Sequence, residues 1–394
     1  MITNPTLEAA APPAVAEKPR AAIRLVSVDA LRGFDMFWIV GGDLLVRSLP
    51  EIHDSALTRE LGAQMEHCEW AGFHFYDLIF PLFVFIVGVS LVFSVTRMVE
   101  RAGRVAAVKR IVIRSLILFL LGIFYMGGVA DGFKNVYFAG VLHRIAVAYF
   151  FAALIFCFLG ASPAAPAKKR RSTKAGLMTM IAICLTLLVG YWALMTFVPV
   201  PGIGAPYLSE SGKNLAHYLD ELYMPGKKFE GTLLSTMAAV ANCLLGVFAG
   251  LLLKSEILPG QRKVYGLLSG GIVSLLLGFV WAQQFPIIKL LWTSSYVLVS
   301  CGYSAILLAA FFQLIELWKW QKWAQPFIWI GMNAITIYIV ANVARFHRLA
   351  ERFVGGDIKV FLGNYAGFVQ ALLTIAFAFL LVHFLYRRKI FLRL

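Results

Sequence analysis

Residues 75–97, FYDLIFPLFVFIVGVSLVFSVTR, decide the fold class. Their apolar run has the length that crosses the hydrocarbon core of a bilayer as one helix, which takes about 20 residues. Runs of this kind recur along nearly the whole chain of 394 residues and leave little room for a separate soluble domain. We therefore predict an all-α, polytopic membrane protein.

The composition agrees with this prediction. The chain is 60% hydrophobic and 14% charged, with a mean hydropathy of +0.77. These values exclude a cytosolic enzyme, a secreted module and a nucleic-acid-binding protein, even though the formal net charge is +15, because no soluble domain exists to present a basic face to nucleic acid. The five cysteines show no CxxC or Cys/His spacing, so the sequence predicts neither a disulfide framework nor a metal site.

Ten segments have the length and hydropathy of membrane-spanning helices. They cover residues 29–48, 75–97, 107–126, 138–160, 176–198, 233–253, 264–284, 291–317, 326–345 and 365–386. With both termini cytoplasmic, the predicted cytoplasmic segments hold twice as many Lys and Arg residues as the external ones, as the positive-inside rule requires. We expect residues 1–24 to be a disordered cytoplasmic tail, and residues 25–394 to form one transmembrane domain with a linker at 161–174.

The first predicted span carries several charges, and an ionisable side chain inside a spanning helix marks a functional site by default. Asp29, Arg32 and Asp35 share one helix face, and Asp43 lies about three turns beyond Arg32. Arg32 and Asp35 either neutralise each other at the membrane interface or serve a site. Asp43 has only Arg47 as a partner nearby in sequence, which favours a role in a site.

The loop before the second span contains His67, Glu69 and Trp70 and runs into Asp77. An imidazole beside Glu69 and within reach of Asp77 can act as a general base toward an amine or a hydroxyl, with the carboxylate fixing its tautomer. The alternative is a histidine that is merely solvated in an external loop.

Further helices carry polar residues at helical spacing. Arg144, next to His143, needs an acid or a phosphate as its partner, or forms a structural ion pair with Asp77 or Asp131. The other polar positions are Glu230, Ser235, Thr236, Asn242, Tyr296, Ser300, Ser304, Asn333, Tyr338, Asn342 and Arg345. Together they indicate a hydrophilic cavity, although Ser and Thr often bond their own helix and small residues pack helices together.

Several motifs carry a family resemblance. They are SVDALRG at 27–33, HCEWAGFHFYDLIFP at 67–81, GVLHR at 140–144, FEGTLLST at 229–236, LGVFAG at 245–250 and GMN at 331–333. Over roughly residues 25–386 the chain resembles the heparan-α-glucosaminide N-acetyltransferase family, including its bacterial NagX-like relatives. The His-x2-Trp-x-Gly-x4-Asp block is the specific part of this resemblance.

The resemblance implies an acyltransferase-like domain in a bacterial inner membrane. It would move an acetyl group from cytosolic acetyl-CoA to the amine of a glucosamine-type sugar on the external side, without a metal. His67 corresponds to the family's catalytic histidine, acting as general base or as acyl carrier, and we predict Asp43 and Asp77 as its catalytic partners. Asp43 stands where the lysosomal enzyme has an asparagine.

The resemblance and the polar stripes together predict the binding residues. Those expected to bind acetyl-CoA are Arg32, His143, Arg144, Ser235, Thr236, Asn242, Tyr296 and Asn333. Those expected to bind the sugar are Glu69, Trp70, Glu230, Asn342 and Arg345.

Two alternatives stay open. The first is a permease for an amino sugar or N-acetylglucosamine that uses the same cavity without chemistry. The second is an acyltransferase for an envelope polysaccharide, because the Arg32-x10-Asp43 spacing is similar to the Arg-x10-His pattern of such enzymes. The small-residue face from Gly246 to Gly250 either packs helices within the chain or forms a homodimer in the lipid bilayer.

Overall fold

The computed structural model describes residues 25–130, 132–161, 170–205, 208, 210–226 and 231–391, and no side chains at 170–173. Every regular element among them is helical, and the β contacts are the isolated bridges Ala71–Ile288 and Val200–Gly204. The predicted tail at 1–24, most of the linker at 161–174, and the candidates Asp131 and Glu230 lie outside the described residues.

The elements follow one another along the chain with short connections. The helices are α1 (Val26–Phe37), α2 (Asp43–Arg47), α3 (Leu49–Ile52), α4 (Ala56–Gln64), α5 (Phe75–Tyr125), α6 (Val141–Leu159), α7 (Arg170–Phe197), α8 (Leu215–Tyr223), α9 (Thr232–Lys254), α10 (Gly260–Ala282), α11 (Ser294–Phe312), α12 (Gln325–Met332), α13 (Ala334–Val343), α14 (Phe346–Glu351), α15 (Gly356–Leu362) and α16 (Ala366–Arg387). π-helical turns at Trp38–Gly42 and Gln313–Leu317 continue α1 and α11.

The described helices are those of a multi-pass membrane protein. Seven are long and apolar enough to cross a membrane, or up to eight if α12 and α13, which meet at an angle of 70°, form one broken span. Apolar side chains remain exposed on their outer faces, among them Leu116 and Leu120 of α5 and Leu276 and Val280 of α10. Such faces are stable against lipid, and the helices satisfy their own backbone hydrogen bonds there.

Two glycines with positive φ break the helices of the first three predicted spans. The second and third predicted spans are the two halves of α5, which meet at a kink at Gly103, between those spans, where φ is +80°. The first predicted span is interrupted at Gly41, where φ is +144°. A positive φ breaks the helical repeat and is accessible to glycine at little cost. The count of ten and the side on which each terminus lies remain predictions.

Helix α5 lies at the centre of the bundle and packs against α6 and α9. A Cβ atom at Gly246 would collide with the backbone carbonyl of Phe85, and one at Gly250 would crowd Val89. On the facing helix α5, a Cβ atom at Gly88 would lie 3.0 Å from the backbone of Gly246. The small-residue face at 246–250 is therefore used for close packing within the chain.

Candidate active site

The site is built around the first turn of α5, where Asp77 precedes Pro81 by four residues. Proline has no N–H to bond the carbonyl four residues back, so the Asp77 carbonyl lacks its helical partner. The Tyr296 hydroxyl donates to this carbonyl at 2.7 Å. The Asn242 side-chain amide donates to the Pro81 carbonyl at 3.1 Å. Tyr296 and Asn242, both predicted to bind the cofactor, thus fix the turn that carries Asp77.

The Asp77 carboxylate organises the loop that precedes α5. Its Oδ2 atom accepts the backbone N–H of Cys68 at 3.3 Å and that of His74 at 3.1 Å. Its Oδ1 atom lies 2.9 Å from Nδ1 of His67. Because an ionised carboxylate only accepts hydrogen bonds, Nδ1 is the protonated nitrogen and Nε2 is left as the acceptor. The structure therefore joins two of the three predicted catalytic residues as a base and its orienting acid.

A second loop reaches this site through backbone contacts. Ala71 and Ile288 form an antiparallel bridge, and the Gly72 N–H donates to the Ile287 carbonyl at 2.9 Å. Gly72 has φ +136°, and a Cβ atom there would lie 3.0 Å from the Cys68 sulfur. Glycine is needed at this position both for its backbone conformation and for space.

These contacts place Lys289 against the histidine. Its Nζ atom lies 2.7 Å from Nδ1 and 2.8 Å from Nε2 of His67, and 3.3 Å from Oδ1 of Asp77. Lys289 is not among the site residues predicted from the sequence. The signal that would have found it is a lone cation in the apolar run FPIIKLLW at 285–292, between two predicted spans.

The three side chains differ in their exposure to solvent. Asp77 is 1% exposed and Lys289 19%, whereas His67 is 50% exposed. Burial lowers the pKa of Lys289, and the Asp77 carboxylate opposes that shift. The group therefore has a buried acid, a mostly buried amine whose pKa is lowered, and an accessible imidazole.

His67 and Lys289 open onto a cavity of about 560 Å³, named here the first cavity. Its other polar lining residues are Tyr76, Tyr125, Tyr137, Tyr338 and Arg144, and apolar side chains make up the rest of its wall. The Arg144 guanidinium stacks over the Trp292 ring at 4.6 Å. Its Nη1 is buried without an acceptor among the described residues. A buried, unpaired guanidinium nitrogen is a strong donor for an anionic ligand.

Asp43, the third predicted catalytic residue, is buried in α2, one turn before Arg47. It does not line the first cavity, and the described residues show no contact between it and His67. The structure therefore brings Asp77, and not Asp43, to the histidine.

Arg32 lies at a junction of three helices. Its guanidinium donates to the Ser90 hydroxyl at 2.6 Å, to the Gly331 carbonyl at 3.3 Å and to the Asp29 carboxylate at 3.3 Å. These partners belong to α5, α12 and α1, so Arg32 ties the helices together. It does not line the first cavity.

Two other cofactor candidates bond their own helix, and a third packs against an aromatic ring. The hydroxyls of Ser235 and Thr236 both donate to the Thr232 carbonyl, at 3.4 Å and 2.9 Å. His143 is buried edge-on against Phe119, with ring centroids 4.7 Å apart. These side chains lie outside the lining of the first cavity.

The remaining candidates are dispersed. Trp70 donates its indole N–H to the Leu208 carbonyl at 2.8 Å, which fastens the His67 loop to the segment before α8. Glu69, Asn342 and Arg345 are exposed, Asn333 is buried at the break between α12 and α13, and Glu230 lies outside the described residues. None of those described lines the first cavity.

Cys68, His74 and Asp77 place their potential metal-ligating atoms within 4.8 Å of one another. Burial, followed by the Asp77 charge, raises the pKa of the Cys68 thiol to about 11. A metal binds the thiolate, which this environment disfavours, and the Lys289 amine lies beside the same carboxylate. The absence of a metal remains a prediction, and the geometry assigns Asp77 to His67.

Comparison with known proteins identifies two similar sequences. Heparan-alpha-glucosaminide N-acetyltransferase of Mus musculus is 25% identical over 377 residues, which cover 83% of this chain and 56% of the mouse protein. The Homo sapiens protein of the same name is 26% identical over 380 residues, which cover 83% of this chain and 55% of the human protein. The chain spans about half the length of these relatives.

No family model matches the chain. The resemblance indicated by the His67 and Asp77 motif nevertheless extends along most of the sequence. The similarity to the heparan-alpha-glucosaminide N-acetyltransferases of mouse and human confirms that resemblance.

Proposed function

We propose that this chain is a membrane acetyltransferase that moves an acetyl group from acetyl-CoA to the amine of a glucosamine-type sugar, with His67 as the catalytic residue. The observation that carries the proposal is the contact series Asp77–His67–Lys289 beside the first cavity. The similarity to proteins named as glucosaminide N-acetyltransferases supports both the reaction and the acceptor class. The membrane is the bacterial inner membrane, and the sugar binds on its external side.

In direct transfer, the sugar nitrogen attacks the thioester carbonyl and loses its proton to Nε2 of His67. The tetrahedral adduct then expels the CoA thiolate, which takes that proton from the imidazolium. Asp77 holds Nδ1–H and stabilises the imidazolium. In the alternative route, Nε2 attacks the thioester first and carries the acetyl group to the amine. Both routes require Nε2 to be unprotonated.

Lys289 contacts both ring nitrogens of His67, so its own protonation state matters. Burial lowers the pKa of Lys289, and the Asp77 carboxylate opposes that shift. When protonated, Lys289 supplies a positive charge beside the negative charge that develops on the adduct and on the leaving thiolate. We assign Lys289 to this electrostatic role.

Arg144 supports acetyl-CoA as the donor. Its unpaired Nη1 in the wall of the first cavity fits an anionic or carbonyl oxygen of the CoA arm. The apolar part of the wall suits the aliphatic part of the same arm. Among the eight predicted cofactor residues, Arg144 is the one whose side chain lines this cavity.

The test follows labelled acetyl groups from acetyl-CoA into glucosamine and into the protein, using purified chain in detergent. Wild type is compared with His67→Ala and with His53→Ala, which changes an exposed histidine outside the first cavity. We expect labelled N-acetylglucosamine from wild type and His53→Ala but not from His67→Ala. Label trapped on wild-type protein without acceptor would favour the acyl-histidine route.

No label in the sugar, together with CoA-independent sugar uptake by reconstituted vesicles, would overturn the proposal in favour of a permease. Transfer to an envelope polysaccharide but not to glucosamine would favour the polysaccharide acyltransferase. Uptake and transfer are measured on the same preparation, so that an inactive sample is recognised.

A further inference from the structure

Helices α14 and α15 connect two parts of the chain that have the character of membrane spans. Helix α13, the second half of the bent pair, ends at Val343, and the apolar helix α16 begins at Ala366. Arg345 has φ +50°, and the chain turns out of α13 into α14 at this left-handed residue. Because the connection joins one span to the next, residues 344–365 lie at a surface of the membrane.

Helix α15 stands away from the rest of the bundle. Gly356 at its start and Gly363 just after its end have φ +56° and +52°, and a Cβ atom at either position would meet nothing within 4 Å. All residues of α15 except Leu362 are exposed, and the side chains of Val360 and Phe361 are 82% and 89% exposed. Side chains of this kind gain hydrophobic stabilisation only when they leave water. The apolar surface of α15 therefore requires a partner that covers it.

The same segment carries an excess of positive charge. Four exposed cations form what is named here the basic surface: Arg345, Arg348, Arg352 and Lys359. The acids of the segment are Asp357 and Glu351, and Glu351 contacts His347 at 3.3 Å. Within the described part of the chain, no acid forms an ion pair with the four cations. In the predicted orientation this segment is external, where the positive-inside rule expects few cations, so the basic surface calls for an anionic partner.

Cations beside exposed apolar side chains favour a lipid as that partner. Charged side chains are depleted from the apolar centre of protein interfaces. A helix that lies on a membrane instead combines apolar side chains at the acyl boundary with Lys and Arg at the headgroups. Arg348 and Arg352 are four residues apart, the spacing of neighbours on one helix face, and guanidinium groups bind phosphate oxygens through paired hydrogen bonds. A soluble anion would satisfy the cations and leave Val360 and Phe361 in water.

We propose that α14 and α15 bind an anionic phospholipid, whose headgroup phosphate contacts Arg348 and Arg352 and whose acyl chains cover Val360 and Phe361. Arg345 and Lys359 add positive charge at the same membrane surface. None of these six residues lines the first cavity. The inference is therefore independent of the proposed acetyltransferase function.

Native mass spectrometry of the purified full-length chain in detergent tests the lipid site. Phosphatidylglycerol and phosphatidylcholine with the same acyl chains are titrated separately, so that the two arms differ in headgroup charge. The proteins are wild type, the double variant R348Q/R352Q, Phe361→Gln and the control R101Q/R104Q, which removes two exposed arginines near the kink of α5. The readout is the apparent dissociation constant of the first bound lipid. Thermal unfolding of all four proteins checks that these exposed substitutions leave the fold intact.

We expect wild type to bind phosphatidylglycerol at least about tenfold more tightly than phosphatidylcholine. The double variant R348Q/R352Q should weaken the binding of phosphatidylglycerol by about 30-fold, since each arginine near an anionic headgroup contributes about fivefold. It should change the binding of phosphatidylcholine far less. Phe361→Gln should weaken the binding of both lipids, because it acts on the acyl chains. The control R101Q/R104Q should keep both wild-type affinities.

Three results would overturn the lipid site. Equal affinity of wild type for the two lipids, or an equal loss in R101Q/R104Q, would show an attraction that is not specific to the basic surface. Binding of inorganic phosphate or of a sulfated disaccharide that is lost in R348Q/R352Q, while lipid binding is retained, would assign the cations to a soluble anion. A wild-type dimer that dissociates in Phe361→Gln would assign the surface to a second copy of the chain.

Discussion

A second cavity of about 530 Å³, lined by Arg47, Glu51, Arg59, Glu66, His347 and Gln370 among others, is similar in size to the first, yet the ionisable pairs of the two cavities lie in opposite surroundings. In the first, His67 contacts a carboxylate that is 1% exposed. In the second, Arg47 and Glu66 pair at nearly the same distance but are 44% and 58% exposed. Electrostatic interactions are strong where water is excluded and weak where it screens them. The difference favours the first cavity as the place where a charged group takes part in chemistry.

The largest effect is expected from removing the buried charge. Asp77→Asn should lower kcat by about 100-fold or more, because the amide no longer stabilises the imidazolium or fixes its tautomer. KM should change little, since Asp77 does not line the cavity. Steady-state kinetics check this prediction, with Asp357→Asn, an exposed aspartate of α15, as the control. A kcat within a few fold of wild type would contradict the role of Asp77.

The hydroxyl that holds the Asp77 turn offers a second test. Tyr296→Phe leaves the buried Asp77 carbonyl without a donor and should lower the free energy of unfolding by about 1–3 kcal/mol. Tyr303→Phe, on the same helix but more exposed, should cost less. Thermal and denaturant unfolding in detergent measure both variants. Equal losses in the two would show that Tyr296 does not support this turn.

Lys289 should react as an amine with a lowered pKa. Its rate of modification by an amine-directed reagent, followed by peptide mass spectrometry, should reach half its plateau below about pH 10.4, the ordinary value for lysine. Burial lowers the pKa of the amine, and only the neutral amine reacts with the reagent, so Lys289 should be modified at a lower pH than an exposed lysine. In Asp77→Asn the midpoint should fall further, since the carboxylate opposes the shift. A midpoint at or above the ordinary value would refute this.

The smallest effect is expected from the corresponding change in the second cavity. Glu66→Gln removes the charge that pairs with Arg47, and should change the free energy of unfolding by less than about 1 kcal/mol because both partners are exposed. Denaturant unfolding alongside Tyr296→Phe checks the contrast. A loss of several kcal/mol would show that water does not screen the second cavity as its exposure indicates.

The sequence predicted the parts of this site that are local. The apolar runs identify the helices, and the spacing of His67 and Asp77 places both at the start of α5. It predicted two spans on either side of the kink at Gly103, but not the break at Gly41, because a glycine within an apolar run does not show from the sequence whether its φ is negative or positive.

The contacts missed are those between residues distant in sequence. Lys289 reaches His67 across 222 residues, through a loop pairing that no helical period encodes. Tyr296 and Asn242 were recognised as significant polar positions, but what they bond are the backbone carbonyls of Asp77 and Pro81 in the first turns of α5. Sequence periodicity shows that a polar side chain faces inward, and only the packing of helices shows what it meets there.

The central claim is that Asp77 and His67 act as one catalytic unit in the first cavity. A double-mutant cycle with His67→Asn, Asp77→Asn and the combined variant tests it, with kcat/KM for acetyl transfer to glucosamine as the readout. If the carboxylate acts through the imidazole, the double variant should be no slower than His67→Asn alone, because the second loss has nothing left to act on. Losses that multiply would show that the two residues contribute independently and would contradict the claim.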